Sequence, residues 1–323
     1  MVTVRPVVVV LGPRDEPPPG IERAAEHAEL CAADGAAQLR DALPGADALF
    51  FWRAHRGDLE EAWDACDRLR WIQAASDGVD GLLFPALIES DVSVTNGRGI
   101  FDNAIAEWVI GALLGFVTRI PESFAAQRQH RWISGETERL AGTRLLVVGP
   151  GPIGRAVATR ARALGMEISG VGRTARADAL FGLMRPVAEL AQAVADADVV
   201  LDTVPLTPQT HHLFNAEVFA AMRPTAHFVN VGRGATVDEP ALIRALQGGQ
   251  LAGAALDVFE TEPLPADSPL WDLPGVIISP HMCGDFRGWE EAAVALFLDN
   301  LGRFARGEEL RNPVDKHAGF GVG

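Results

Sequence analysis

The chain has 323 residues, of which 48% are apolar and 22% charged, and its net charge is −15. That balance excludes a disordered chain, and the shortage of positive charge excludes a polyanion-binding surface, so no nucleic-acid partner is expected. The length calls for two domains rather than one core. Cys31, Cys66 and Cys283 are widely spaced, with no CxxC pair, as in free thiols of a reducing compartment. No run approaches the ~18 to 20 uncharged apolar residues of a membrane span, and the nearest, Trp108 to Val117, is too short. A cytoplasmic protein without a membrane partner is expected.

The start, Met1 to Leu11, is apolar but holds Arg5 and Pro6 and ends at Gly12-Pro13, so it reads as a first β-strand and not as a signal peptide. Short apolar runs then alternate with helical patterns: Val7 to Leu11, Ile21 to Ala33, Ala48 to Trp52, Leu69 to Ala74 and Val92 to Thr95. Such alternation predicts a parallel sheet with crossover helices. From Ile100 to Arg119 the period becomes helical, with Phe101, Ile105, Trp108, Val109, Ala112, Leu113 and Phe116 on a broad apolar face, and Pro121 stands as a stop signal. This helix suits a linker, a dimer surface, or both.

A second α/β unit begins at Thr143. Strands are predicted over Arg144 to Val148, Glu167 to Val171, Ala197 to Asp202, His227 to Val231, Gly253 to Val258 and Val276 to Ser279, and a final helix over Trp289 to Phe304. Between the first strand and a helix from Ile153 to Ala163 lies Gly149-Pro150-Gly151-Pro152-Ile153-Gly154. A strand, a GxGxxG turn and a helix in that order let the backbone approach a pyrophosphate at a helix N-terminus. Pro152 falls in the first helical turn, where its missing N–H costs little. An NAD site usually carries an acid about 20 residues further on, bonding the ribose 2′-hydroxyl. Here Arg173, Thr174 and Arg176 occupy that stretch. Arginines can bind a 2′-phosphate bidentately, so NADP(H) is expected over NAD(H).

Arg233, Glu262 and His281 stand just after the last three of these strands, and the carboxyl ends of parallel strands face the ligand crevice of an open sheet. Carbonyl reduction needs a proton donor for the developing alkoxide and a cation that polarises the carbonyl. A histidine beside a carboxylate serves as the first, and an arginine that also binds a substrate carboxylate serves as the second. His211 and His212 show no partner pattern for zinc, and no metal is expected.

These features together resemble the D-2-hydroxyacid dehydrogenase family over nearly the whole chain. The resemblance runs through Trp71-Ile72-Gln73, Gly78-Val79-Asp80, Val94-Thr95-Asn96, Ala106-Glu107, the GxGxxG turn and Val204-Pro205-Leu206-Thr207. It continues in Asn230-Val231-Gly232-Arg233-Gly234, Leu256-Asp257-Val258-Phe259, Glu262-Pro263-Leu264 and Pro280-His281. It implies an α/β fold of two Rossmann-like domains with parallel sheets, flavodoxin-like and dinucleotide-binding, the second inserted into the first. The expected bounds are 1–98 with 287–323 for the substrate-binding domain and 99–286 for the NAD(P)-binding domain.

The same resemblance makes Arg233 the arginine that binds and polarises substrate, His281 the general acid/base and Glu262 its orienting partner. Asp257 would contact the nicotinamide carboxamide; Val204, Pro205, Thr210, Val231 and Gly232 would line the cofactor cleft. Backbone N–H groups around Asp77 and Gly78 would receive the substrate carboxylate. A homodimer that reduces a 2-keto acid (glyoxylate, hydroxypyruvate or a bulkier one) to the D-2-hydroxy acid is implied. A cofactor-sensing binding protein of the same fold is the alternative. Asp77 and Cys283 stand where the family usually has small residues. The first puts an anion beside an anionic substrate, and the second either packs or exposes activity to oxidation.

Overall fold

The computed structural model describes residues 5–321, so Met1 to Val4 of the first predicted strand lie outside the described residues. The chain divides into two compact units, Met1–Phe101 with Phe286–Gly323, and Asp102–Asp285. The expected junctions were 98/99 and 286/287. Gly97 to Ile100 stay with the first unit because Gly97 N–H bonds the Ser76 carbonyl and Ile100 N–H bonds that of Gly97.

In chain order the first unit contains β1 (Val7–Leu11), β2 (Glu29–Ala33), α1 (Ala36–Ala42), β3 (Ala48–Phe51), α2 (Arg56–Ala62), β4 (Trp71–Ala74), α3 (Pro85–Ile88) and β5 (Ser93–Thr95). The second contains α4 (Asp102–Thr118), α5 (Ile120–Arg128), β6 (Arg144–Val148), α6 (Pro152–Ala163), β7 (Glu167–Gly172), β8 (Arg176–Asp178), β9 (Gly182–Pro186), α7 (Leu190–Val194) and β10 (Val199–Asp202). It continues through α8 (Ala216–Ala221), β11 (His227–Asn230), α9 (Glu239–Gln247), β12 (Gly253–Leu256) and β13 (Val276–Ile278). The chain then returns to the first unit with α10 (Trp289–Arg306), β14 (Val314–Asp315) and β15 (Phe320–Gly321).

The first unit is a five-stranded parallel sheet, ordered β2-β1-β3-β4-β5. One face carries Leu39, Leu59 and Ile72 with the helices α1 and α2; the other buries Phe50, Trp52 and Trp71 against α10. Phe297 of α10 stacks on Phe50 at 4.4 Å and on Trp71 at 5.6 Å. Buried polar groups there are paired: Asn300 Nδ2 donates to Gln73 Oε1 at 2.9 Å, and Thr95 Oγ1 to the same atom at 2.8 Å.

The second unit is an eight-stranded sheet, β13-β12-β11-β10-β6-β7-β9-β8, parallel except for β8 against β9. Its central strands are apolar runs buried on both faces, as in β6 and β10. Strand order reverses between β6 and β10, which opens a crevice at their carboxyl ends. Helix starts are capped where the sequence allows: Asn215 Oδ1 accepts from the N–H groups of Glu217 and Val218, and Asp238 from that of Ala241.

Three elements depart from expectation. The Ile21 to Ala33 pattern splits into a 3-10 helix, Ile21–Glu26, and the edge strand β2. Pro121 does follow the end of α4, but it lies in the first turn of α5, where no N–H is needed. Arg119, at φ 56°, turns the chain by 69° between the two helices. The β8–β9 hairpin was not foreseen. Among the described residues no single helix is long and apolar enough to cross a membrane.

Candidate active site at the carboxyl edge of the second sheet

The glycine turn after β6 has the geometry of a backbone cradle. Gly149 adopts φ 91°, and a Cβ there would lie 2.9 Å from the Thr203 carbonyl carbon and 3.0 Å from Val204 Cγ1. At Gly154 a Cβ would meet the Gly149 oxygen and Val147 Cγ1, each at 2.8 Å, so helix α6 packs onto β6 only with glycine here. Gly151 differs. It precedes α6, is exposed, and a Cβ would meet nothing within 4 Å. Two glycines thus serve the fold, while the third keeps open the space before the helix N-terminus, as a dinucleotide pyrophosphate requires. Pro152 and Ile153 begin that helix.

Across the crevice, Val204 is buried and Pro205 exposed. Thr210 bonds the loop to itself: its Oγ1 donates to the Pro205 carbonyl at 2.6 Å and accepts from Thr207 N–H at 2.8 Å. Val231 and Gly232 follow β11, and a Cβ on Gly232 would sit 2.7 Å from the Val204 oxygen. Arg173 and Thr174 are exposed beyond β7, and Arg176 opens β8. The hairpin beside them is tied to α6 by an ion pair between Arg155 and Asp178. Hydrogen bonding from Arg155 holds the Asp178 carboxyl down at about 2. This tie went unseen in the sequence, since nothing local links positions 155 and 178.

Arg233, Glu262 and His281 leave the ends of the adjacent strands β11, β12 and β13. Glu262 Oε2 lies 2.7 Å from His281 Nδ1, and Glu262 Oε1 accepts from Phe259 N–H at 2.9 Å. The carboxylate is therefore held by its own loop while it fixes the imidazole, which leaves Nε2 as the outward nitrogen. Hydrogen bonding to Glu262 raises the His281 pKa above its ordinary value, against burial and the charge of Arg233, which lower it. Burial pushes Glu262 upward. The hydrogen bonds from His281 and Phe259, with the charges of His281 and Arg233, outweigh it and hold the carboxyl below its usual range.

His281 occupies the left-handed region, at φ 52°. Asp257 holds it there. The His281 N–H bonds the Asp257 carbonyl at 2.8 Å, and Asp257 Oδ1 accepts from the N–H groups of Met282 and Cys283 at 3.0 and 3.1 Å. Asp257 is 1% exposed, and this anchoring task is one the motif alone did not suggest. Burial, reinforced by Asp257, pushes the Cys283 thiol up, which disfavours the reactive thiolate. Arg233 is carried by a turn seated on the Glu262 loop: a Cβ on Gly234 would lie 1.8 Å from the Phe259 carbonyl carbon. Asn230 Nδ2 donates to the Arg233 carbonyl at 3.0 Å and locks the turn.

Asp77 and Gly78 belong to the first unit, in the loop after β4. Asn96 Nδ2 donates to the Asp77 carbonyl at 2.6 Å and to its Oδ1 at 3.2 Å. His211 and His212 stack at 4.0 Å, and His212 Nε2 pairs with Glu260 Oε1 at 2.8 Å. Among the described residues no group of three or more His, Cys, Asp or Glu could hold a metal ion.

Known proteins resemble this chain in sequence and in fold. A family model, D-isomer specific 2-hydroxyacid dehydrogenase, NAD binding domain, matches residues 110–283. A hydroxyphenylpyruvate reductase of Plectranthus scutellarioides is 34% identical over 79% of this chain and 81% of that protein. A glyoxylate/hydroxypyruvate reductase B of Pectobacterium carotovorum is 35% identical over 77% and 79%. An NADPH-dependent glyoxylate/hydroxypyruvate reductase of Sinorhizobium meliloti, solved with NADP and malonate, superposes with a TM-score of 0.82 at 30% identity, covering 99% of each chain. The chain belongs to the D-isomer specific 2-hydroxyacid dehydrogenase family.

Proposed function

We propose that this enzyme reduces a small 2-keto acid, glyoxylate, hydroxypyruvate or a bulkier analogue, to the D-2-hydroxy acid, with NADPH preferred over NADH. The observation that carries this is the 2.7 Å His281–Glu262 pair on the strand edge that also carries Arg233. With its pyrophosphate at the glycine turn, a bound NADPH would supply the hydride from its nicotinamide. The chain supplies the rest. His281, kept protonated by Glu262, donates from Nε2 to the developing alkoxide and takes the proton back in the reverse direction. Arg233 grips the substrate carboxylate and draws charge from the carbonyl oxygen. Asp77 and Gly78 are assigned to the same carboxylate on family resemblance. Residues 102–285 are assigned to the cofactor and the remainder to the substrate.

The preference for NADPH is inferred from Arg173, Thr174 and Arg176 in place of an acid. The Sinorhizobium relative's complex with NADP supports it. The protein is assigned to the cytoplasm as a homodimer, and exposed Ile120, Phe124 and Trp132, the last 98% accessible, favour the dimer. The test is a panel of 2-keto acids assayed with NADPH and NADH. Turnover of at least one, with higher kcat/KM for NADPH, is expected. Cofactor binding without turnover of any would refute the assignment in favour of a sensing role.

A further inference from the structure

Thr236 has one hydroxyl hydrogen and two short contacts. Its Oγ1 lies 2.5 Å from Asp202 Oδ2 and 2.6 Å from the carbonyl oxygen of Arg233. With Asp202 ionised, both neighbours are pure acceptors, and one contact would set lone pair against lone pair. A proton on Asp202 Oδ2 removes the conflict. Asp202 then donates to Thr236 Oγ1, Thr236 donates to the Arg233 carbonyl, and Asp202 Oδ1 still accepts from Val204 N–H at 2.9 Å. Asp202 and Thr236 are each 0% exposed, and contacts of 2.5 and 2.6 Å leave no room for a water between these oxygens. We infer that Asp202 is protonated in the folded enzyme on the acid side of neutrality and then acts, through Thr236, as a positioning residue for Arg233. The positioning half rests on the assignment of Arg233 to the substrate.

The surroundings favour a neutral acid. Asp202 ends β10 with Val148 of β6 and Asn230 of β11 as its register neighbours, and Gly232 closes over it. The ionisable groups on neighbouring elements at this edge are Arg233, on the covering turn, and Asp257, whose carboxylate is engaged by Met282 and Cys283. Glu262 and His281 lie beyond. Burial raises the Asp202 carboxyl to about 7, against the hydrogen bonds from Thr236 and Val204. As pH climbs past that value, Thr236 must turn its hydrogen to Asp202. The Arg233 carbonyl then retains only the amide donors, Asn230 Nδ2 at 3.0 Å and Thr236 N–H at 3.2 Å. Because the folded carboxyl sits above its ordinary value, the stability it contributes is present at acid pH and lost as pH rises toward 7.

Two measurements on the NADPH-loaded enzyme test this. In kinetics, Asp202→Asn presents an amide N–H to Thr236 and a carbonyl to Val204 at every pH. Its KM for the keto acid should stay low on the alkaline side, where the unmodified KM rises about five- to tenfold, the size of one net hydrogen bond. Thr236→Val should have the raised KM at all pH values. In melting experiments, the Tm of Asp202→Asn relative to the unmodified protein should climb as pH rises from about 4 to 7. A Tm difference independent of pH, or an Asp202→Asn variant whose KM tracks Thr236→Val, overturns the inference. If Arg233→Lys leaves the keto-acid KM unchanged, the substrate assignment of Arg233 fails instead. The melting comparison still reports the Asp202 proton.

Discussion

Gly234→Ala should separate the catalytic machinery from the cofactor site. A Cβ at position 234 would stand 1.8 Å from the Phe259 carbonyl carbon, 1.9 Å from its oxygen and 2.4 Å from Glu260 N. Carbon atoms in contact sit about 3.5 Å apart, so the two backbones must part by roughly 1.5 Å. Neither gives easily, since the 234 turn is bonded through Val237 N–H and Phe259 is buried in the core. Overpacking of this kind costs about 1 to 3 kcal/mol, a few degrees of Tm in a chain of this length. The larger effect is on rate. Phe259 N–H holds Glu262, and Glu262 holds His281, so a displaced Phe259 moves the proton donor as well. A misplacement near 1 Å costs about 10²-fold. Steady-state kinetics should show kcat/KM down by about that factor, while fluorescence titration finds NADPH affinity little changed. A variant with unaltered kcat/KM would refute the claim that this close approach aligns Arg233 with the His281–Glu262 pair.

The other glycine gives the converse. Gly151→Ala fits the fold without a clash, so Tm should hold while NADPH Kd rises; a Kd equal to the unmodified value would remove the cofactor from this turn. His281→Ala should lower kcat by about 10² to 10⁴ with NADPH still bound. Glu262 raises the His281 pKa, so Glu262→Gln should lower it, and reduction, which needs the imidazolium, should fail at a lower pH as pH rises. A pH profile that does not move would dismiss the pairing. Arg173→Asp should weaken NADPH far more than NADH, as read from the two Kd values; equal losses would place the 2′-phosphate elsewhere.

Much of this architecture is legible from one dimension because buried parallel strands announce themselves. Arg144 to Val148 and His227 to Asn230 are apolar runs followed by glycine-bearing turns, and the structure puts strands there. Glu29–Ala33 was hidden because an edge strand needs little hydrophobic pattern, and its Ala-rich run reads as readily as helix. The β8–β9 hairpin depends on a partner 23 residues back in sequence, Arg155 for Asp178, and no local period encodes such a tie. In the site, Arg233, Glu262 and His281 were visible as residue types at strand ends. The supports were not. Asp257 anchoring the His281 turn and Gly234 against Phe259 are contacts between separate strand ends, set by the order β11-β12-β13.

The first unit is assembled from two stretches of chain separated by the whole of the second, and that has a consequence for biosynthesis. Its sheet is translated early, yet Phe297 and Asn300, which cover Phe50 and Trp71 and bond Gln73, emerge only after residue 285. A nascent chain on the ribosome can therefore complete the contiguous unit while the earlier sheet still exposes an aromatic face. Ribosome-bound chains truncated before Trp289 should resist protease within 102–285 and be cleaved within the N-terminal segment. Chaperones that bind exposed apolar surface should engage them there, and engagement should end once α10 clears the exit tunnel.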